Sequence, residues 1–186
     1  LINVWDCWSH QNQLFVIQDY VEAPSVRDII NEGRLGLHSL LKIGIQLCEA
    51  VEAIHKAHLT HGCITPNHIF ISNEFLKLSA PTIEEFVSAH IPLQAHEAAY
   101  TSHQDDLPGD KKDLFSIGSV LFFFSTGYPP NAIDPSHWHD YGVSEHLEEI
   151  FVELLNQNSD SKTTAHSLAQ SLTKIRNKLY PEDNNK

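Results

Sequence analysis

The stretch Thr60-His61-Gly62-Cys63-Ile64-Thr65-Pro66-Asn67-His68-Ile69-Phe70-Ile71 concentrates the side chains best suited to chemistry. Cys63 could act as a nucleophile with His61 or His68 as its base, because a thiol becomes reactive once a neighbouring imidazole draws off its proton. His58, His61, Cys63 and His68 are also side chains of the type that binds zinc. Against both stand plainer readings: a lone cysteine in a loop is usually a small packed residue. His137 and His139, on either side of Trp138, read as surface loop residues.

Those residues need elements to hold them. From His38 to Leu59, apolar residues recur at helical spacing (Leu40, Leu41, Gly44, Leu47, Cys48, Val51, Ile54), and after Pro66 the pattern turns to the short β-rich run Ile69-Phe70-Ile71. The order is helix, loop, strand. Upstream, residues 2–8 and 14–21 form two aromatic-rich runs joined by the polar Ser9 to Gln13, which predicts a β-hairpin. Pro24 ends the second run and Ser25 is placed to cap a helix over 26–31. Residues 69–71 and 76–78 read as a second hairpin, and 79–104 as a loop. Residues 113–127 are apolar nearly all round, as in a helix buried mid-domain. An irregular stretch over 131–143 precedes two amphipathic helices at about 144–156 and 163–179. The exposed-face acids Glu148, Glu149 and Glu153 belong to the first of these, and Phe122 to Phe124 are core.

Composition bounds the function. With 186 residues, 41% of them hydrophobic, the chain can bury one full core. A net charge of −12 argues against nucleic acid, whose binders need a basic surface. No apolar run approaches the roughly 20 residues that span a bilayer, so membrane insertion of this segment is not expected. Cysteines at 7, 48 and 63 suit reduced thiols and a cytoplasmic setting. The absence of methionine, and a start inside a β-like run, lead us to expect a piece of a longer protein.

The central stretch resembles the catalytic loop of protein kinases, His-Arg-Asp-Leu-x-x-x-Asn, with His61, Gly62, Cys63, Ile64 and His68 on its defined positions. The helix with Asp113, Ser116 and Gly118, followed by Gly127-Tyr128-Pro129-Pro130, resembles the kinase F helix. The resemblance implies an α+β, mainly helical fold: a protein-kinase-like C-lobe preceded by the last N-lobe β-hairpin and hinge. It divides the chain into residues 1–22 (end of the N-lobe), 23–180 (helical C-lobe) and 181–186 (solvated tail). The aromatic side of the hairpin, with Trp5, Trp8 and Phe15, is then expected to lie under more of an N-lobe.

The resemblance also implies what the site lacks. Cys63 stands where a kinase has its catalytic Asp, Thr65 where it has the loop lysine, and His68 where an Asn binds metal. Ala80, followed by Pro81 and Thr82, takes the place of the metal-binding Asp-Phe-Gly. Phosphoryl transfer asks for a carboxylate base, oxygen ligands for magnesium and positive charge on the phosphoryl group, and imidazole is a poor magnesium ligand. Gly62 removes the arginine that would grip a phosphorylated loop. Gln104 and Lys162 replace a buried Glu–Arg pair. His61, Asp113 and Gly118 keep structural roles, Asp113 as acceptor for the loop backbone. In this frame His61 faces the core and His68 the cleft, which argues against a shared zinc.

The expectation is therefore a pseudokinase and not an enzyme: a scaffold or regulatory protein-interaction module with no cofactor and no metal, whose partner is another protein or an adjoining domain of the parent chain. One alternative is a nucleotide switch that holds ATP without magnesium at the hinge residues Gln18, Asp19 and Val21, with Gln18 as gatekeeper. The other is an enzyme of altered chemistry built on Cys63 or on a metal at His68.

Overall fold

The computed structural model describes residues 1–11, 13–79, 97–102 and 104–181. Ala80, Pro81, Thr82, His103 and residues 182–186 of the expected tail lie outside the described residues, as does most of the expected loop over 79–104.

The chain opens with the predicted hairpin, β1 (Val4–His10) and β2 (Gln13–Gln18), paired antiparallel. The turn is tighter than the polar run Ser9 to Gln13 suggested. His10 pairs with Gln13, and Gln11 takes φ +49°, the left-handed conformation that short hairpin turns demand. Strand β2 stops at Gln18, so the ladder does not reach position 21. The hairpin is anchored through the buried Ile2, whose N–H donates to the Leu78 carbonyl at 2.8 Å.

Helix α1 (Val26–Glu32) starts where the sequence placed it. Ser25 accepts from the Asp28 N–H while the Asp28 carboxylate accepts from Ser25, a reciprocal capping box that settles two otherwise orphaned donors. Helix α2 (Leu37–Lys56) buries the whole predicted apolar stripe. It ends three residues early, because His58 adopts φ +60° and turns the chain out of the helix. After the central loop come β3 (Ile69–Ser72) and β4 (Phe75–Leu78), joined by Asn73 and Glu74 with both φ values positive, at 50° and 68°. That geometry matches the right-handed twist of the two strands.

Helix α3 (Gly109–Thr126) runs through the middle of the core, buried on every side from Ser116 to Thr126. It begins four residues before Asp113, at an N-cap, Pro108, that makes no side-chain hydrogen bond and so leaves little signal in the sequence. Helices α4 (Glu145–Leu155) and α5 (Ala165–Leu179) follow, capped by Ser144 and Thr164. The stretch expected to be irregular holds two 3-10 turns, Pro130–Ala132 and Pro135–Tyr141. Its Trp138 is buried, with its ring centroid 5.2 Å from that of Phe122, which in turn lies 5.5 Å from Phe151. Two glycines let the helices close on one another. A Cβ on Gly118 would stand 2.7 Å from the Cβ of Leu154 on α4, and one on Gly44 would meet Leu121 at 3.0 Å. The result is an α+β fold, mainly helical, with two small hairpins at its edge.

Candidate functional site

The loop between α2 and β3 carries no regular structure over 59–65, yet His61, Cys63, Ile64 and Thr65 within it are buried. A buried loop must find partners for each polar group it removes from water. Asp113, one turn into α3 and 1% exposed, supplies them. Its Oδ2 accepts from the His61 N–H at 2.8 Å and its Oδ1 from the Gly62 N–H at 2.9 Å. His55 Nε2, in the last turn of α2, adds a third contact to Oδ2 at 2.9 Å. One carboxylate thus ties α2, the loop and α3 together.

His61 is locked as a neutral ring. Its Nδ1 accepts from the Cys63 N–H at 3.3 Å, so the proton sits on Nε2, which donates to the Ser79 carbonyl at 3.0 Å. Burial pushes its pKa down to about 4, outweighing the opposing pull of the Asp113 charge. With both nitrogens engaged, His61 offers no lone pair to a zinc ion. Among the described residues, no group of three or more His, Cys, Asp or Glu side chains is arranged to hold a metal.

Cys63 is 2% exposed and makes no disulfide. The two candidate bases meet its backbone: His61 takes its N–H, and His68 Nδ1 donates to its carbonyl at 2.9 Å. The Thr65 hydroxyl, fully buried, lies 3.3 Å from the same Nδ1. The structure therefore gathers His61, Cys63, Thr65, His68 and Asp113 into one hydrogen-bonded loop. Gly118 lies further along α3 at the α4 contact, where it sets helix spacing.

The hinge residues lie elsewhere, at the end of β2. Gln18 is exposed and Val21 half-buried. The Asp19 carboxylate accepts from Trp5 Nε1 at 2.7 Å and Asn3 Nδ2 at 2.8 Å, and these bonds hold its pKa below the ordinary carboxylate value. Gln104 and Lys162, on the positions of the buried Glu–Arg pair of kinases, are both exposed. Ser102 instead donates its hydroxyl to the Gln157 side chain, linking the segment's end to the connection between α4 and α5. Sequence reasoning missed His55 and Gln157. His55 was within reach, since it continues the buried stripe of Cys48 and Val51 at helical spacing and is the polar residue on that face. Gln157 had no such signal.

No family model matches the chain. A probable serine/threonine-protein kinase of Clostridium perfringens is 28% identical over 139 residues, which cover 70% of this chain and 20% of that protein. The serine/threonine-protein kinase PknB of Mycobacterium leprae is 23% identical across 90% of this chain and 31% of its own length. The chain thus spans between a fifth and a third of these relatives. Among solved structures, Rad53 1-466 in complex with AMP-PNP superposes with a TM-score of 0.75 at 16% identity, covering 95% of this chain and 50% of that one. The Rad53 kinase domain with SCD2 gives 0.69, over 94% and 78%. The fold is protein-kinase-like, with the helical lobe expected from the sequence. The relatives overturn the expectation that the chain is not an enzyme, because they are themselves named serine/threonine-protein kinases. Residue types that differ from the familiar catalytic groups do not by themselves license an inference of lost activity. Among the described residues no helix is long and apolar enough to cross a membrane.

Proposed function

We propose that this chain is the helical lobe of a kinase-like protein that serves as a scaffold or regulatory protein-interaction domain. Its partner is another protein or an adjoining domain of a longer parent chain, in a cytoplasmic setting. The observation that carries this reading is the use made of the central loop. At the positions that match a kinase's base and loop lysine, Cys63 and Thr65 turn inward and are buried, and His68 bonds back to the loop. With these side chains buried or turned to the loop, the exposed surface is what a partner meets. Because the relatives are named kinases, the test must read phosphotransfer as well as binding. The full-length protein and its Cys63→Ala variant are compared in a phosphotransfer assay, and the variant is expected to match the parent. Transfer that Cys63→Ala abolishes would sink the proposal.

A second reading draws on one observation, the complex of the solved neighbour with AMP-PNP. In it, ATP binds between this lobe and other parts of the protein, with Gln18, Asp19 and Val21 at the hinge and no magnesium. A ligand that binds the native state raises Tm by mass action. ATP should then raise the Tm of the full-length protein equally with magnesium and with a chelator present. A flat Tm in both removes this reading.

A further inference from the structure

A cleft of about 530 Å³ opens between the end of α1 and the turns that follow α3, and two tyrosines form its walls. Tyr128 and Tyr141 are 52% and 40% exposed, with ring centroids 5.7 Å apart and planes at 86°. Their backbones are fixed from beneath. The Thr126 hydroxyl lies 3.0 Å from both the N–H and the carbonyl of Tyr128. Arg34 donates from Nη1 to the Tyr141 carbonyl at 2.6 Å. Beside each ring stands a glycine in the left-handed region, Gly127 at φ +77° and Gly142 at φ +91°. A Cβ at 142 would press on Arg34 Nη1 at 3.0 Å, so the close approach that pins Tyr141 needs the glycine.

Two perpendicular rings held in this way make a preformed corner, and an aromatic face carries the negative side of its quadrupole outward. Exposed Glu32 and Asp140 line the same cleft. The cation in the lining is Arg34, which is tied to the Tyr141 carbonyl. We propose that this corner docks a basic segment of a partner protein, with an arginine or lysine side chain lying over the tyrosine rings beside Glu32 and Asp140. The proposal rests on the interaction-domain reading above and supplies the partner's chemistry. Charge complementarity selects that occupant. The chain carries a net −12, which draws cationic segments and repels acidic ones, and the corner gives the attraction a place to act. A preformed site also spares the ordering cost that a floppy surface would meet on binding.

The test is an anisotropy titration of the full-length protein with a labelled peptide of Arg-Ser-Gly repeats, against a Ser-Gly peptide of equal length. The basic peptide is expected to bind and the neutral one not to. Tyr128→Leu and Tyr141→Leu should each weaken binding about threefold, and together about tenfold. Tyr128→Phe keeps the π face and should keep the affinity, which separates loss of the ring from damage to the fold. Glu32→Gln should weaken binding, whereas Glu149→Gln, at an exposed position of α4 outside the cleft lining, should not. Equal losses from those two variants would reduce the effect to general attraction by an acidic surface and overturn the proposal. Unchanged binding in the double tyrosine variant would overturn it too. Phosphotransfer abolished by Cys63→Ala would strike the interaction-domain reading and leave this titration as it stands, so the two failures are told apart.

Discussion

The loop between α2 and β3 has no ladder of its own yet buries His61, Cys63, Ile64 and Thr65, whereas the hairpin β1–β2 has a backbone ladder, interrupted by a register shift between Val4 and Asp6, and leaves all seven residues of β1 exposed. In the hairpin each strand satisfies its neighbour's backbone, so the pair keeps its shape with little core beneath it. The loop has given up water and draws its hydrogen bonds from other elements, chiefly from Asp113. Regular pairing and burial are separate sources of order. Disturbing the first should cost locally; disturbing the second should cost the whole lobe.

The largest break in that contrast comes from Asp113→Ala. It strands the buried His61 N–H, the part-buried Gly62 N–H and the His55 ring, and should destabilise the lobe by about 3 kcal/mol, read as a lower urea midpoint. A shift as small as that of a surface substitution would mean the loop is not held by this carboxylate.

Acid should loosen the same region. The unfolded His61 takes up a proton near 6.5 and the folded one only near 4, so between those values the unfolded state holds more protons. Stability is full above 6.5 and falls as the pH drops through the window, by about 3 kcal/mol at its lower end. Urea midpoints measured across this range should trace that limb, and His61→Gln should flatten it. On the hairpin side, Asp19 titrates below the ordinary 3.8, so its contribution is present above that value and is lost only as the pH falls further.

Gly118→Ala sharpens the comparison from the α3–α4 contact. Its Cβ would collide with backbone-fixed Leu154 Cβ at 2.7 Å and push α3 from α4, at a cost of about 2 kcal/mol in thermal or urea unfolding. The smallest effect is expected in the hairpin. Trp5 is 71% exposed, and Trp5→Ala should change global stability by less than about 0.5 kcal/mol while altering tryptophan fluorescence. A loss of several kcal/mol there would show that the hairpin and the lobe unfold as one.

Much of the fold was legible because its signals are local. Ser25, Ser144 and Thr164 each cap the helix that follows with their own side chains, and the stripe from Leu40 to Ile54 repeats at the helical period. Element ends slipped where the signal was silent or ambiguous. Pro108 caps α3 without a side-chain bond, and His58 ends α2 through a left-handed φ that its residue type does not announce. In the site, the loop residues and Asp113 could be named from their pattern, while the inference from missing kinase groups to missing activity reached further than the pattern allowed.

The sequence by itself determined the helices, the two hairpins and the loop rich in histidine, because capping, turn chemistry and hydrophobic period act within a few neighbouring residues. Only the tertiary structure decided that His55 joins the loop backbone at the Asp113 carboxylate, that Ser102 finds Gln157, and that Tyr128 and Tyr141 meet at a corner. Those pairings follow from how the helices pack around α3, and packing depends on the shapes of all the facing side chains together, which no short stretch of sequence encodes.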